Sequence, residues 1–298
     1  MTWRSAIVRR LGRGVWDLWS FVATRIPLDV GYWCADRVGD LAYLCASGYR
    51  GNVLANLRQV LGPQATDASL RATARQVFRH SARDFYDLVR LRSLSPAAME
   101  RSVTIIGSWE PFERALARGT GAIVVSAHLG SFDFALQTIA IRGYPTLAAT
   151  VPTVGRFFHD GLTYLRASKG LEVVEATRGL FGRFASALGA GTSVILANDR
   201  DFQGNGVPVC FFGRRTTLPV GAVRLARETG APIVVTICRR HGRRQTMSIE
   251  EPLWLPRTAD PDADLRRGMQ ELVAALERHI RASPEQWVMF QRVWANDE

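Results

Sequence analysis

The stretch GAIVVSAHLGSFDFALQTIAIRG, residues 121–143, decides the fold class. It opens on a continuous apolar run, AIVV, which is typical of a strand buried on both faces of a sheet. Gly130 and Ser131 follow where the chain leaves this strand, and they permit a tight turn with Ser131 as the N-cap of a helix that begins at Phe132. The stretch therefore predicts a strand, a turn and a helix in succession, the unit from which layered α/β folds are built.

The same alternation continues toward the end of the chain. Apolar runs such as TLAATV, LEVVEA, TSVILAND and APIVVTICRR are separated by segments with helical spacing, and RQTMSIEEPLWL adds a strand of alternating type. A last helix is expected from about Asp262 to Ala282, because Pro284 follows its apolar stripe. We therefore predict an α/β fold, a layered sheet with helices on both faces.

The N-terminal part of the chain has a different composition. Six arginines lie between Arg4 and Arg37. Six aromatic residues accompany them: Trp3, Trp16, Trp19, Phe21, Tyr32 and Trp33. This mixture favours a membrane interface, although ordinary helices packed on the core would also account for it. No run approaches the roughly 20 apolar residues that span a bilayer. We predict an N-terminal helical, membrane-facing region over residues 1–95 and an α/β core over residues 96–298.

One helix of this region carries a regular stripe of arginines. The helix is expected to begin at an N-cap at Asp67, and the stripe consists of Arg71, Arg75, Arg79 and Arg83. Residues four apart share a helix face, so the stripe is either a solvated face or a surface that lies against anionic headgroups.

Charge limits the classes of partner. The 298 residues carry a net charge of +11, and Lys169 is the only lysine among the 38 basic residues. Arginine binds phosphate and carboxylate in bidentate fashion, which indicates anionic lipid headgroups, a phosphorylated cosubstrate or nucleic acid. No zinc-finger or RNA-recognition motif accompanies the charge, so we expect no nucleic acid partner. The four cysteines form no CxxC pair, and we expect neither a metal nor a cofactor.

His128 is the candidate for chemistry. It stands at the end of a buried strand, where catalytic groups of α/β folds collect, and Asp133 follows in the first turn of the next helix. Asp133 could accept a hydrogen bond from one imidazole nitrogen and support the positive charge when the other nitrogen takes a proton. The alternative is a polar strand end with a carboxylate nearby by chance.

Three further blocks place this pair in a wider pattern. The first is NDRDFQGNGVPVCFFG, in which the motif runs from Asp199 to Gly213. The second is Leu218 to Ala222, and the third is the terminal stretch PEQWVMFQRVW. Together with His128 to Asp133 they resemble the lysophospholipid acyltransferase superfamily. The resemblance covers roughly residues 50 to 298, and the sequence looks most like the branch of lipid A late acyltransferases and phosphatidylinositol mannoside acyltransferases. Gln291 departs from the pattern, because a histidine is common there.

The resemblance implies transfer of an acyl group to an alcohol. His128 would deprotonate the acceptor hydroxyl, which attacks the thioester of an acyl-CoA or an acyl carrier protein, and Asp133 would orient His128. Backbone N–H groups of Gly130 and Ser131 would face the developing oxyanion. No serine or cysteine nucleophile is required.

Several other polar residues are candidates to bind substrate. Asp199, Arg200 and Asp201 follow the apolar run SVILA, so we expect them at the same sheet edge as His128, where they contact the polar acceptor or shape the site. Cys210 stands where a calcium loop would need glutamate, which disfavours an EF-hand. Arg166, Arg214 and Arg215 are candidates to bind phosphate on the cosubstrate or the lipid.

The leading hypothesis is a peripheral acyltransferase on the cytoplasmic face of the cell membrane, acting on a glycolipid or phospholipid. Two alternatives stay open. One is a thioesterase or lysophospholipase that uses the same pair on water, and the other is a non-enzymatic protein that binds anionic lipid. The oligomeric state is left open.

Overall fold

The computed structural model describes residues 3–151, 155–202 and 204–294, with side chains described from residue 12 onward. Twelve α-helices lie in these ranges: α1 Trp3–Arg25, α2 Leu28–Cys45, α3 Ser47–Leu61, α4 Asp67–Leu91, α5 Pro96–Ser102, α6 Glu110–Leu116, α7 Phe132–Ala135, α8 Gln137–Ile141, α9 Arg156–Arg166, α10 Leu180–Gly189, α11 Gly221–Thr229 and α12 Pro261–Ala282. The strands there are β1 Val103–Ile106, β2 Ile123–Ser126, β3 Thr146–Thr150, β4 Glu172–Glu175, β5 Ser193–Ala197, β6 Val207–Phe211, β7 Arg214–Leu218, β8 Ile233–His241 and β9 Arg244–Ile249.

Seven of these strands form one mixed sheet in the order β1-β9-β8-β2-β5-β3-β4. The neighbours from β8 across to β4 are all parallel, whereas β9 runs antiparallel to β8. Strands β6 and β7 form a separate antiparallel hairpin. Parallel strands end at one edge of a sheet, so the loops after β2, β3, β4 and β5 share that edge.

Helices cover both faces of the sheet, as the sequence predicts. Ile123 and Val125 of β2 belong to a hydrophobic cluster that includes side chains of α10, α11 and α12. Val124 between them belongs to a second cluster with side chains of α7 and α8. Alternate residues of one strand point to opposite faces, so the apolar run AIVV fills two cores at once.

The N-terminal helices α1 to α4 precede the sheet, and α2 lies against α4. Gly39 permits this close approach, because a Cβ there would lie 2.7 Å from the Cα of Arg79. The arginine stripe of α4 mostly faces α2 rather than headgroups: Arg75 and Arg79 donate to Asp40, and Arg83 donates to Asp36. These hydrogen bonds hold the pKa of Asp40 well below its usual range. Of the four arginines, Arg71 and Arg75 are exposed, and Arg79 and Arg83 are partly buried.

The opposite face of α2 and part of α1 expose large apolar side chains, which are Leu18, Trp19, Phe21, Val22, Val30, Trp33, Val38, Leu41 and Leu44. We call these nine residues the apolar face. Arg25 stacks over Phe21 and Arg37 over Trp33, so cations border it. The side chains of Trp3 and of the arginines before residue 12 lie outside the described residues. Among the described helices, none combines the length and the apolarity needed to cross a bilayer.

Two helix ends differ slightly from the sequence prediction. The N-cap of α4 is Thr66 rather than Asp67, because the Thr66 hydroxyl accepts the Ser69 N–H at 3.2 Å. The last helix begins at Pro261, and Asp260 caps it by accepting the Ala263 N–H at 2.9 Å. The division of the chain at residue 95 stays a prediction.

Candidate active site

The register of two central strands places a histidine beside an aspartate. Ser126, the last residue of β2, pairs with Ala197, the last residue of β5, in a parallel ladder. His128 and Asp199 each lie two residues beyond these partners. The two side chains therefore leave the same edge of the sheet as neighbours, although 71 residues separate them in sequence.

The Asp199 carboxylate holds His128 at two points. Its Oδ1 lies 2.8 Å from the ring Nδ1, and its Oδ2 accepts the His128 backbone N–H at 2.9 Å. Since an ionised carboxylate only accepts hydrogen bonds, Nδ1 carries the proton of the neutral ring and Nε2 is left to accept one. Asp199 is fully buried. Burial alone would raise its pKa, but the charge and hydrogen bonds of His128 outweigh burial and lower it.

Asp133 has a different partner from the one that the sequence suggested. Its two carboxylate oxygens accept from Nε and Nη2 of Arg166, each at 2.7 Å. The predicted hydrogen bond between Asp133 and the His128 ring is therefore wrong. The physical reason is that the carboxylate one strand away in the sheet, Asp199, already occupies Nδ1.

A cavity of about 760 Å³ lies in front of His128. Its polar lining includes His128, Asp133, Thr150, Arg166, Arg200, Asp201 and Arg224. Apolar side chains also line it, among them Leu136, Ala148, Leu171, Val173, Phe184, Ile195 and Leu225. The cavity thus joins a proton acceptor to an apolar chamber over the carboxyl ends of β3, β4 and β5.

Gly130 and Ser131 lie behind this cavity rather than in its wall. The Gly130 N–H donates to the Gln286 carbonyl at 3.0 Å. Gly130 has a φ of +59°, and its loop lies close to β8, because a Cβ at Gly130 would lie 2.6 Å from the Cys238 carbonyl oxygen. Ser131 does precede a helix at Phe132, but its hydroxyl donates to Asp87 at 3.2 Å instead of capping that helix. Both residues are buried and neither lines the cavity, which corrects the expectation that they contact substrate.

Asp87, which accepts the Ser131 hydroxyl, belongs to a buried charged network. Arg240 of β8 donates to Asp84 and to Asp87 at 2.6 Å each, and Tyr32 of α2 donates to Asp87 at 2.9 Å. Burial raises the pKa of Asp84 to about 6. The network connects the N-terminal helices to the loop that carries His128.

The other predicted residues divide between the cavity and the surface. Arg200 lines the cavity with its guanidinium 3.5 Å from the Phe202 ring centroid, and burial lowers its pKa to about 10. Asp201 also lines the cavity, but its oxygens accept the N–H groups of Gly204 and Gly206 and so hold the loop. Arg214 and Arg215 lie on the β6–β7 hairpin and do not line the cavity. Among the described residues, no cluster of histidine, cysteine, aspartate and glutamate is arranged to hold a metal ion.

Sequence reasoning placed Asp199 at the correct edge but gave it another role. It also missed Trp287, whose indole Nε1 donates to Asp199 Oδ2 at 2.8 Å. A signal was available for Asp199, because His128 stands three residues after the apolar run AIVV and Asp199 stands two residues after the run SVILA. For Trp287 the sequence carries no such signal beyond its place in an aromatic C-terminal segment.

A family model matches almost the whole chain, and known proteins share sequence with it. The model of the family described as "Bacterial lipid A biosynthesis acyltransferase" matches residues 4–296. A phosphatidylinositol mannoside acyltransferase of Mycobacterium tuberculosis is 29% identical over 262 residues, which are 86% of this chain and 80% of that protein. Its counterpart from Mycolicibacterium smegmatis is 25% identical and is covered over 83% of its length. The crystal structure of the 1-acyl-sn-glycerophosphate acyltransferase PlsC of Thermotoga maritima aligns with a TM-score of 0.39 and 15% identity, over 86% of this chain and 98% of that one.

Proposed function

The chain belongs to the bacterial lipid A biosynthesis acyltransferase family, and we propose that it moves a fatty acyl group from a thioester to a hydroxyl of a glycolipid or phospholipid. Membership of this family confirms the resemblance seen in the sequence motifs, and an acyltransferase acting on lipids follows from it. The observation that carries the finer proposal is the His128–Asp199 pair at the wall of a cavity that is mostly apolar.

The proposed reaction uses His128 as a general base. Nε2 takes the proton of the acceptor hydroxyl while the oxygen of that hydroxyl attacks the thioester carbonyl carbon. Asp199 stabilises the imidazolium that forms. The tetrahedral intermediate then expels the thiolate, which recovers the proton from the imidazolium. The carbon–oxygen bond of the ester forms, the carbon–sulfur bond of the thioester breaks, and no residue of the protein is acylated.

The apolar part of the cavity is the proposed site of the acyl chain. Its volume lies in the range of 300–1,000 Å³ that is usual for ligand pockets. Side chains from both hydrophobic clusters line it, for example Phe184 and Leu171. Each methylene buried there contributes about 0.8 kcal/mol, so a long chain supplies much of the binding free energy.

The charged part of the cavity is the proposed site of the polar groups of the substrates. Within the part of the chain that the structure describes, no carboxylate is hydrogen-bonded to the Arg200 guanidinium, whereas the charge of Arg166 is balanced by Asp133. Arg200 is therefore the stronger candidate for a phosphate, on the lipid or on the pantetheine of either donor. Asp133, which the sequence predicted as a catalytic residue, acts in this proposal as a positioning residue that orients Arg166. The donor is acyl-CoA or acyl carrier protein, and we expect no cofactor.

We further propose that the protein sits on the cytoplasmic face of the membrane through the apolar face. Trp16 of α1 stacks on Phe157 of α9, with 5.8 Å between the ring centroids. The exposed rings of Phe157 and Phe158 extend the apolar face to α9. Helix α9 ends at Arg166, which lies in the cavity wall. An acceptor held in the bilayer would thus meet the cavity without leaving the lipid. The relatives named phosphatidylinositol mannoside acyltransferases suggest such an acceptor.

Acyl transfer is tested with purified protein, palmitoyl-CoA or palmitoyl-acyl carrier protein, and a lipid extract that contains phosphatidylinositol mannosides. We expect thiol release to depend on the acceptor and to fall by about 10²–10⁴-fold in His128→Ala. The matched control is His241→Ala, because His241 is exposed at the end of β8. Thiol release that does not respond to the lipid would favour hydrolysis, and full transfer by His128→Ala would refute the proposed base.

Membrane binding is tested by sedimentation with vesicles of phosphatidylglycerol and phosphatidylcholine. Leu41→Glu places a charge in the apolar face, where Leu41 is 61% exposed, and we expect it to weaken binding by tenfold or more. Gln270→Glu adds the same charge at an exposed position of α12 and serves as the control. Equal loss in both variants would show that net charge alone governs binding.

A further inference from the structure

The segment after α12 is hydrogen-bonded along the loop that carries His128. The Val288 N–H donates to the His128 carbonyl at 2.8 Å, and the Gly130 N–H donates to the Gln286 carbonyl at 3.0 Å. Leu129 and Trp287 lie between these bonds and form an isolated antiparallel bridge. The backbone on both sides of Trp287 is thus fixed to the backbone on both sides of Leu129.

This pairing delivers the Trp287 side chain to the Asp199 carboxylate. The ring is 1% exposed, and its Nε1 donates to Oδ2 at 2.8 Å. The same oxygen accepts the His128 backbone N–H at 2.9 Å, while Oδ1 lies 2.8 Å from His128 Nδ1. Among the described residues three hydrogen bonds reach this buried carboxylate, two from His128 and one from Trp287.

We propose that Trp287 is a positioning residue of the acyl-transfer site, which fixes the rotation of the Asp199 carboxylate and keeps its charge on the side of the His128 ring. The inference rests on the proposed function only for its kinetic consequence. With Oδ2 held by the indole and by the loop backbone, Oδ1 faces Nδ1 and Nε2 faces the cavity. Without the indole, the carboxylate loses a donor that favours its ionised form, and the pair takes up a proton more readily.

Other charged groups near the pair stay the same in the variants below. Arg200 follows Asp199 directly, Asp201 lies beside it in the loop, and Asp133 with Arg166 lines the same cavity. A change in the titration of the pair is therefore assigned to the lost indole donor.

Trp287 also packs in the core, and this structural role needs a control. Its ring lies 6.4 Å from both the Phe211 and the Trp294 rings. Trp294 is a matched control, because it is 3% exposed, belongs to the same segment and donates its Nε1 proton to the Phe211 carbonyl at 3.1 Å. Replacing Trp294 with phenylalanine removes an indole and a hydrogen bond of similar length without touching Asp199.

The first experiment measures kcat/KM for acyl transfer against pH in the wild type, Trp287→Phe, Trp294→Phe, Asp199→Asn and the Trp287→Phe/Asp199→Asn double variant. A hydrogen bond to a charged group corresponds to about 10- to 100-fold, so we expect Trp287→Phe to lose that much at neutral pH and its acid limb to move to higher pH. Trp294→Phe should keep the wild-type pH profile. In the Asp199→Asn background we expect Trp287→Phe to cost less than about threefold, because the charge it positions is gone. An equal loss in both backgrounds would overturn the proposal.

The second experiment needs no activity, and it separates this inference from the proposed function. Protein labelled with ¹⁵N-histidine is titrated by NMR, and the transition of the His128–Asp199 pair is compared among the wild type, Trp287→Phe and Trp294→Phe. We expect a move to higher pH in Trp287→Phe alone, and an unchanged transition would refute the positioning role. If Trp287→Phe does not fold, site-specific incorporation of benzothienylalanine keeps the ring size and removes the N–H, with the same expected shift. A wild-type protein without transferase activity would refute the proposed function and leave this measurement decisive.

Discussion

Replacing Asp199 with asparagine removes the charge behind His128 with little change in size. The carboxylate lies 2.8 Å from Nδ1 and is fully buried. At an effective dielectric constant of about 20, two unit charges at that distance attract by about 6 kcal/mol. Desolvation of the carboxylate offsets part of this, so we expect a loss of about 3–5 kcal/mol of transition-state stabilisation, or about 10²–10⁴-fold in kcat.

The assay follows thiol release from palmitoyl-CoA with the lipid acceptor present, and it compares Asp199→Asn with Asp133→Asn. Asp133 pairs with Arg166 rather than with His128, so its amide variant should change KM for the substrates more than kcat. Circular dichroism and thermal unfolding of both variants control for misfolding. If Asp199→Asn kept kcat within threefold of the wild type while Asp133→Asn lost it, the assignment of Asp199 as the partner of the base would be refuted.

Three further predictions concern stability and specificity. Asp87→Ala leaves the buried Arg240 with one carboxylate fewer, and we expect urea denaturation to show a loss of about 3–5 kcal/mol. Burial lowers the pKa of His80 to about 3, whereas a histidine of the unfolded chain has a pKa of about 6.5, so the unfolded chain binds the proton first as the pH falls. The free energy of unfolding present above pH 6.5 is therefore lost as the pH falls toward 3, by about 2 kcal/mol at pH 5. Urea denaturation at pH 7 and pH 5 should show a smaller difference between the two pH values in His80→Gln than in the wild type. Ala148→Phe fills part of the cavity wall, and the ratio of kcat/KM for palmitoyl-CoA to that for a short-chain acyl-CoA should fall by about tenfold or more; an unchanged ratio would place the acyl chain elsewhere.

Much of the fold could be predicted from the sequence because its signals are local. The run AIVV, the turn at Gly130 and the helix from Phe132 each follow from a few adjacent residues, and the structure has all three. The exact helix ends depend on which hydroxyl or carboxylate caps them, and there the prediction was off by about one residue.

The site could be predicted only in part because its partners are distant in sequence. His128 was found because it ends a buried strand. The sequence predicts Asp133, five residues away, as its partner, since the sequence alone does not give the order of the strands in the sheet. Strand β2 pairs in parallel with β5, although β3 and β4 lie between them in the sequence. This order of strands brings Asp199 to the His128 ring. The arginine stripe of α4 was ambiguous for the same reason, because the carboxylates that bind it lie on α2.

The backbone bridge between Leu129 and Trp287 has a consequence for biosynthesis. A nascent chain that ends before Gln286 already contains the histidine, the aspartate and every described strand of the sheet, but it lacks the C-terminal residues that hydrogen-bond to the histidine loop and to Asp199. The hydrogen-bonded form of that loop therefore arises only after all the strands that build the sheet have been synthesised, so a chain interrupted between Ile249 and Gln286 would have the sheet without the indole donor to Asp199.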